Sequence, residues 1–286
     1  MNSPAVTGFY HEDSGSIAYV VADPATRHAA IIDPVLDFDE KAARVSTASA
    51  DAILKHVDES KLSVDWVLDT HPHADHFSAA VYLKEKLRAP AAIGAKIGAV
   101  QDLWKAIYNL SDFPADGSQW DRLFADGDTL SVGSLQGRVM FSPGHTLASI
   151  TYIFGDAAFI HDTLFQPDTG SARCDFPGGS AATHYDSIMR ILALPDETRL
   201  FTGHDYKNGG RPARWESTVA EQKATNIHFR NKPTRDEYVA VREARDKTLP
   251  MPRLILHALQ FNMRGGRLPP PESNGRSYLK IPVGAL

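Results

Sequence analysis

Apolar, β-branched runs alternate along this chain with polar turns that interrupt them abruptly. Ser16–Ala22 (SIAYVVA) and His28–Pro34 (HAAIIDP) have the length and Val/Ile content of strands, and Asp23-Pro24 supplies a turn between them. Across residues 39–59, Ala42, Val45, Ile53, Leu54 and Val57 fall at helix-like spacing, which predicts a helix there. Val64–Thr70 (VDWVLDT) predicts a buried strand, and residues 78–88 an amphipathic helix. Arg138–Ser142, Ile150–Gly155 and Ala157–Ile160 read as strands, the last two joined in a hairpin at Gly155-Asp156. A helix is expected around 183–194, then a strand at Thr198–Gly203 and helices near 213–226 and 234–247. An apolar segment at 253–263 and a Gly/Pro-rich tail complete the chain, with no internal repeat.

Strands interleaved with helices predict a layered α/β fold. The ends of the strands are more telling, because four of them run directly into metal-binding side chains. Val64–Thr70 leads into His71-Pro72-His73-Ala74-Asp75-His76, and Arg138–Ser142 into Pro143-Gly144-His145-Thr146. Ala157–Ile160 leads into His161-Asp162, and Thr198–Gly203 into His204-Asp205-Tyr206. Layered α/β folds build their sites from loops at strand ends, so this convergence predicts one site drawn from four distant segments. Alternate residues of an extended stretch point the same way, so His71 and His73 can share one ion, with His145 as a third ligand. The turn then swings Asp75 and His76 toward a second position that His204 would complete. Asp162 could bridge two ions or bind one terminally. Solitary histidines such as His11, His28 and His257 read as ordinary hydrogen-bonding residues.

Composition narrows the remaining classes. The 35 acidic and 30 basic side chains give a net charge of −5, unlike the basic stripe of a nucleic-acid binder. No apolar run approaches the roughly 18 residues of a membrane span. Residues 1–15 lack the features of a secretory or transit peptide, and the single cysteine, Cys174, forbids an intramolecular disulfide. A cytoplasmic protein with no membrane or nucleic-acid partner is therefore expected. The 286 residues can form a single domain, with about residues 211–286 as a helical and tail extension packed on the core. Cys174 has no histidine base as a sequence neighbour and is expected to be inert.

The run from Thr70 to His76, Pro143-Gly144-His145-Thr146, Asp162 and Gly203-His204-Asp205 together resemble the metallo-β-lactamase superfamily, over about residues 10–210. The resemblance implies an αβ/βα four-layer sandwich, two facing mixed β-sheets with helices outside and metal at one sheet edge. Arg173-Cys174-Asp175-Phe176, His204-Asp205-Tyr206 and Asn262-Met263-Arg264-Gly265-Gly266 narrow it, resembling the persulfide dioxygenases (sulfur dioxygenases). That branch implies one Fe(II) held by His71, His145 and Asp162, with glutathione persulfide and O₂ as substrates and sulfite and glutathione as products. His73, Asp75, His76 and His204 would then orient water and the ligands. Spacing alone still favours the alternative, a dinuclear zinc glutathione-thioester hydrolase of the glyoxalase II type. Glutathione carries two carboxylates and an ammonium, so guanidinium forks suit it. On that chemistry Arg173 and Arg264 are the expected anchors, with Asp175, Tyr206 and Asn262 beside them. Family precedent suggests a homodimer.

Overall fold

The computed structural model describes residues 3–286. β1 (Ala5–Tyr10), β2 (Ile17–Ala22), β3 (His28–Ile32), β4 (Val35–Asp39) and β5 (Arg44–Ser46) precede α1 (Ala48–Glu59). β6 (Ser63–Leu68), β7 (Phe77–Ser78), α2 (Ala80–Leu87), β8 (Ala91–Gly94) and α3 (Ile97–Ile107) come after it. Next come β9 (Arg122–Phe124), β10 (Thr129–Val132), β11 (Leu135–Phe141), β12 (Ile150–Phe154) and β13 (Ala157–His161). α4 (Ala181–Leu192), β14 (Arg199–Thr202), β15 (Glu216–Thr218), α5 (Val219–Thr225), α6 (Arg235–Asp246) and α7 (Ile255–Asn262) complete the order.

One six-stranded sheet runs β1-β2-β3-β6-β8-β9 and a second runs β10 to β15 in sequence order. Both are mixed: β3, β6, β8 and β9 pair in parallel in the first, β13 and β14 in the second. Side chains alternate across each strand. In β2, Ile17, Tyr19 and Val21 enter a core shared with Tyr152, Phe154, Phe159 and Phe201 of the other sheet. Ala18, Val20 and Ala22 face the opposite way, onto Ile53 of α1, Leu83 of α2 and Phe261 of α7. The outer face of the second sheet packs Ile153, Ile160 and Leu200 on Ile188 and Ile191 of α4 and Tyr238 of α6. Helix, sheet, sheet, helix is the layering that the resemblance implied. Phe159 stacks on Phe201 at 5.0 Å in the central layer, and truncating such a side chain to Ala costs about 3–5 kcal/mol.

Two expectations from the sequence fail locally. The helix expected over 39–59 starts only at Ala48. Asp39 Oδ1 accepts the backbone N–H groups of Lys41 and Ala42, both at 3.1 Å, and Ala43 takes φ 49°, so the chain reverses and pairs β5 with β4. Likewise residues 216–218 form β15 against β14 before Thr218 accepts the Glu221 N–H and starts α5. Among the described residues, no helix is long and apolar enough to cross a membrane.

Candidate metal centre

The loops after β6, β11, β13 and β14 meet at one end of the sandwich, and backbone details let them approach. β13 and β14 are parallel neighbours, which sets Asp162 beside His204. Between them Gly203 leaves room that a Cβ would take from the Asp162 carboxylate and the His161 backbone. Gly144, at φ 131°, lies so close to His184 of α4 that any side chain there would collide with it. The turn carrying His145 can therefore sit flat against the helix start.

Each histidine that faces Asp162 is held by its far nitrogen. Asp33, which follows β3 at φ 48°, accepts the Thr70 N–H with Oδ1 and the Thr70 hydroxyl with Oδ2, both at 2.7 Å. With its only hydrogen spent on Asp33, Thr70 Oγ1 accepts from His71 Nδ1 at 3.0 Å. The lone pair of His71 is thus on Nε2, which is buried with no protein partner and 3.8 Å from Asp162 Oδ2. His145 Nδ1–H donates to the Arg173 carbonyl at 2.8 Å, leaving Nε2 3.5 Å from Asp162 Oδ2. Asp162 Oδ1 accepts from His204 Nδ1 at 2.6 Å, so Oδ2 alone faces the two imidazoles. The three ligand atoms lie within 4.8 Å of one another. Two neutral imidazoles and one carboxylate oxygen aimed at a common point, one of them otherwise orphaned, fit a divalent transition-metal ion.

The adjoining residues are arranged differently. Asp75 Oδ2 accepts from Ser16 Oγ at 2.8 Å and from His204 Nε2 at 2.7 Å, with His76 Nδ1 at 3.2 Å. Burial alone would lower the His204 pKa, but Asp162 and Asp75 on its two nitrogens push it well above its ordinary value. His73 has Nε2 3.1 Å from Asp33 Oδ1; burial opposes its charged form, but this carboxylate raises its pKa to about 9. His73 is therefore turned toward Asp33 and does not converge with His71 and His145 as spacing suggested. Asp162 takes that third place. His73, Asp75 and His76 also cluster within 4.8 Å, as do Asp33, Asp69 and His73, and both ring nitrogens of His73 and Nε2 of His76 are buried without a hydrogen-bond partner.

A cavity of about 680 Å³ opens onto Asp75, His145, Asp162 and His204. Arg173 lines it, with its guanidinium gripped by Asp175 at 2.6 and 2.7 Å, bonded to the Pro250 carbonyl at 2.6 Å and stacked on Phe176. Three of its five N–H groups are used in this way, so two are left. Asp175 acts on Arg173 and is not itself part of the wall. Tyr206 lies parallel to His204 at 5.9 Å and lines the cavity with more than half its surface exposed. Cys174 is buried, and burial pushes its thiol well up.

Asn262 and Arg264 do not reach the cavity, contrary to expectation. Asn262 is buried, donates to the carbonyls of His73 and His76 at 2.8 Å each and accepts the Ser78 N–H, so it braces the histidine loop from behind. Arg264 stacks on Phe113 at 4.7 Å on another face. Residues that sequence reasoning missed include Asp33, Ser16 and Arg245. Asp33 ends a strand as Asp162 does, so the strand-end rule could have found it. Arg245 lines the cavity and pairs with no carboxylate among the described residues, and nothing in its sequence surroundings singles it out. His11 and His28 make ordinary hydrogen bonds, to Ser14 and Asp65.

Comparison with known proteins bears on this site directly. The sequence pattern of the metallo-beta-lactamase superfamily matches residues 13–204, which include every histidine and aspartate of the two ligand clusters. The chain belongs to the metallo-beta-lactamase superfamily. The beta-lactamase hydrolase-like protein of Xylella fastidiosa is 63% identical over 286 residues, all of this chain and 66% of that protein, so the chain spans just under two thirds of its length. Persulfide dioxygenase ETHE1 of Bos taurus is 29% identical over 265 residues, covering 92% of this chain and 89% of that one. The crystal structure of ETHE1 from Myxococcus xanthus superposes with a TM-score of 0.75 at 33% identity, covering 92% of this chain and 100% of that one.

Proposed function

We propose that this member of the superfamily is a glutathione-dependent persulfide dioxygenase with one Fe(II) per chain, held by His71, His145 and Asp162. The reaction converts glutathione persulfide, O₂ and water into glutathione and sulfite. The observation that carries this reading is the split in the ligand cluster. One two-histidine, one-carboxylate face has its acceptor atoms aimed at a single point, while Asp75 and His204 spend theirs on each other. Such a facial set with open positions suits oxygen-activating iron. The likeness to the ETHE1 proteins supports the same branch.

An Fe(II) ion at this face would supply redox capacity and three exchangeable coordination positions. The chain's own residues supply the rest. Asp33 and Thr70 hold His71 in its Nδ1–H tautomer, and the Arg173 carbonyl does the same for His145. This fixes both lone pairs before substrate arrives. The Arg173 backbone therefore orients a metal ligand while its side chain, kept rigid by Asp175 and Phe176, presents two N–H groups to a glutathione carboxylate. Arg245 offers a second, unneutralised charge on the same wall. His204 donates to the non-ligating oxygen of Asp162, which limits that carboxylate to one oxygen toward the ion. Phe165 and Phe176 give the cavity an apolar stretch near the site, suited to a sulfur atom.

The second reading, a dinuclear zinc thioester hydrolase, draws on the retained Asp75, His76 and His204 and on the hydrolase-like name of the Xylella relative. Oxygen uptake on glutathione persulfide, measured beside hydrolysis of a glutathione thioester, separates them. Consumption of O₂ with sulfite release supports the first reading. Thioester hydrolysis alone supports the second.

A further inference from the structure

We propose that the hydroxyl of Ser16 closes the second metal position and so sets the number of ions this protein holds. The inference rests on the one-iron reading above. Ser16 immediately precedes β2 and is buried, 2% exposed. Its Oγ donates to Asp75 Oδ2 at 2.8 Å and lies 3.0 Å from both His76 Nδ1 and His204 Nε2. One side-chain oxygen thus touches Asp75, His204 and His76, the last through Nδ1, with His76 Nε2 left unpartnered. A divalent ion bound through nitrogen and carboxylate oxygen sits about 2.0–2.2 Å from its ligands. The point between Asp75 Oδ2 and His204 Nε2 that such an ion needs is taken by the hydroxyl and by the 2.7 Å bond between those two atoms.

Ser16 cannot withdraw by shifting its backbone. Its carbonyl accepts the His11 N–H at 2.8 Å, and the next residue, Ile17, donates its N–H to the Gly203 carbonyl at 2.8 Å, beside His204 itself. The side chain is held as well. Ser14 Oγ lies 2.6 Å from Ser16 Oγ and 2.7 Å from His11 Nδ1, a relay that also holds the hydroxyl. Rotating Ser16 away would forfeit four polar contacts in a buried place, which is costly when nothing replaces them. Ser16 is a positioning residue, since it acts through Asp75 and His204 and not on substrate.

Zinc titration of the purified full chain, with ions per chain counted by native mass spectrometry, tests this for wild type, Ser16→Ala and Ser16→Thr. Wild type and Ser16→Thr should each saturate at one ion, and Ser16→Ala should saturate at two. If wild type holds one and folded Ser16→Ala also holds one, the inference fails and the one-ion reading stands. If wild type holds two, both fail, and loss of one ion in Ser16→Ala would make the hydroxyl a ligand. Should Ser16→Ala not fold, Ser16→Gly takes its place in the same count, with the same two outcomes. In wild-type crystals grown in excess zinc, an ion on Asp75 and His204 beside an unmoved Ser16 overturns the inference.

Discussion

His71, His145 and Asp162 on one side, and Asp75, His76 and His204 on the other, are the same residue types a few ångströms apart. Their hydrogen bonds run in opposite directions. In the first set each imidazole donates outward, to Thr70 or to the Arg173 carbonyl, and keeps its inner nitrogen for an ion. In the second set His204 is strung between Asp162 and Asp75 with Ser16 among them, so these donors and acceptors are spent on one another, while His76 Nε2 is left without a partner. A ligand motif therefore counts potential ligands, not ions. The outward partners decide which become available.

Substitutions in either set would sharpen or break this contrast. Asp162→Ala removes the single carboxylate of the open set, and should abolish both iron content and turnover, measured by elemental analysis and O₂ uptake. His204→Ala in the closed set should slow turnover by about 10–100-fold while most of the iron stays bound. Complete metal loss there would make His204 a true ligand and erase the distinction between the sets. Asp33→Asn should weaken iron binding by about 10–100-fold, because it loosens the tautomer lock on His71. A chelator competition assay reads this directly.

Two arginines at the cavity act on substrate affinity and leave the metal in place. Losing a charge-assisted pair costs about 1.5–3 kcal/mol, so Arg173→Ala should raise KM for glutathione persulfide about 10–150-fold with iron content unchanged. Arg173→Lys should not rescue it fully, since lysine lacks the planar fork that Asp175 grips. Arg245 is exposed and screened by solvent, so Arg245→Ala should cost about 1 kcal/mol or less, a KM change of about fivefold at most. Arg264→Ala should leave KM alone and lower stability only by the cation–π contact to Phe113, about 0.5–1 kcal/mol, read as a shift in Tm.

The same contrast explains what was legible in the sequence. The candidate ligands were readable because they sit at strand ends inside short, recognisable turns, but spacing puts His73 with His71 and His145, and only the family resemblance puts Asp162 there. The layers were readable because apolar runs and helical spacing report burial directly. Hydrogen bonds across long separations were not. Ser16 meets Asp75 and His204 only through folding, 59 and 188 residues apart. Asn262 is expected beside a glutathione anchor because it opens the Asn262–Gly266 stretch that carries the family resemblance, but α7 buries it behind the histidine loop. The false start of α1 has a local cause: the apolar spacing of Ala42 and Val45 suited a helix, while the Asp39 side chain bound the backbone and turned the chain into a hairpin.

The difference between the two sets comes down to the count and identity of the ions, together with the reaction they permit. Wild-type protein purified anaerobically, analysed for metal and then given glutathione persulfide in an oxygen electrode, should contain one iron per chain and consume O₂ with release of sulfite. Two zinc ions per chain, with glutathione-thioester hydrolysis and no O₂ uptake, would contradict it.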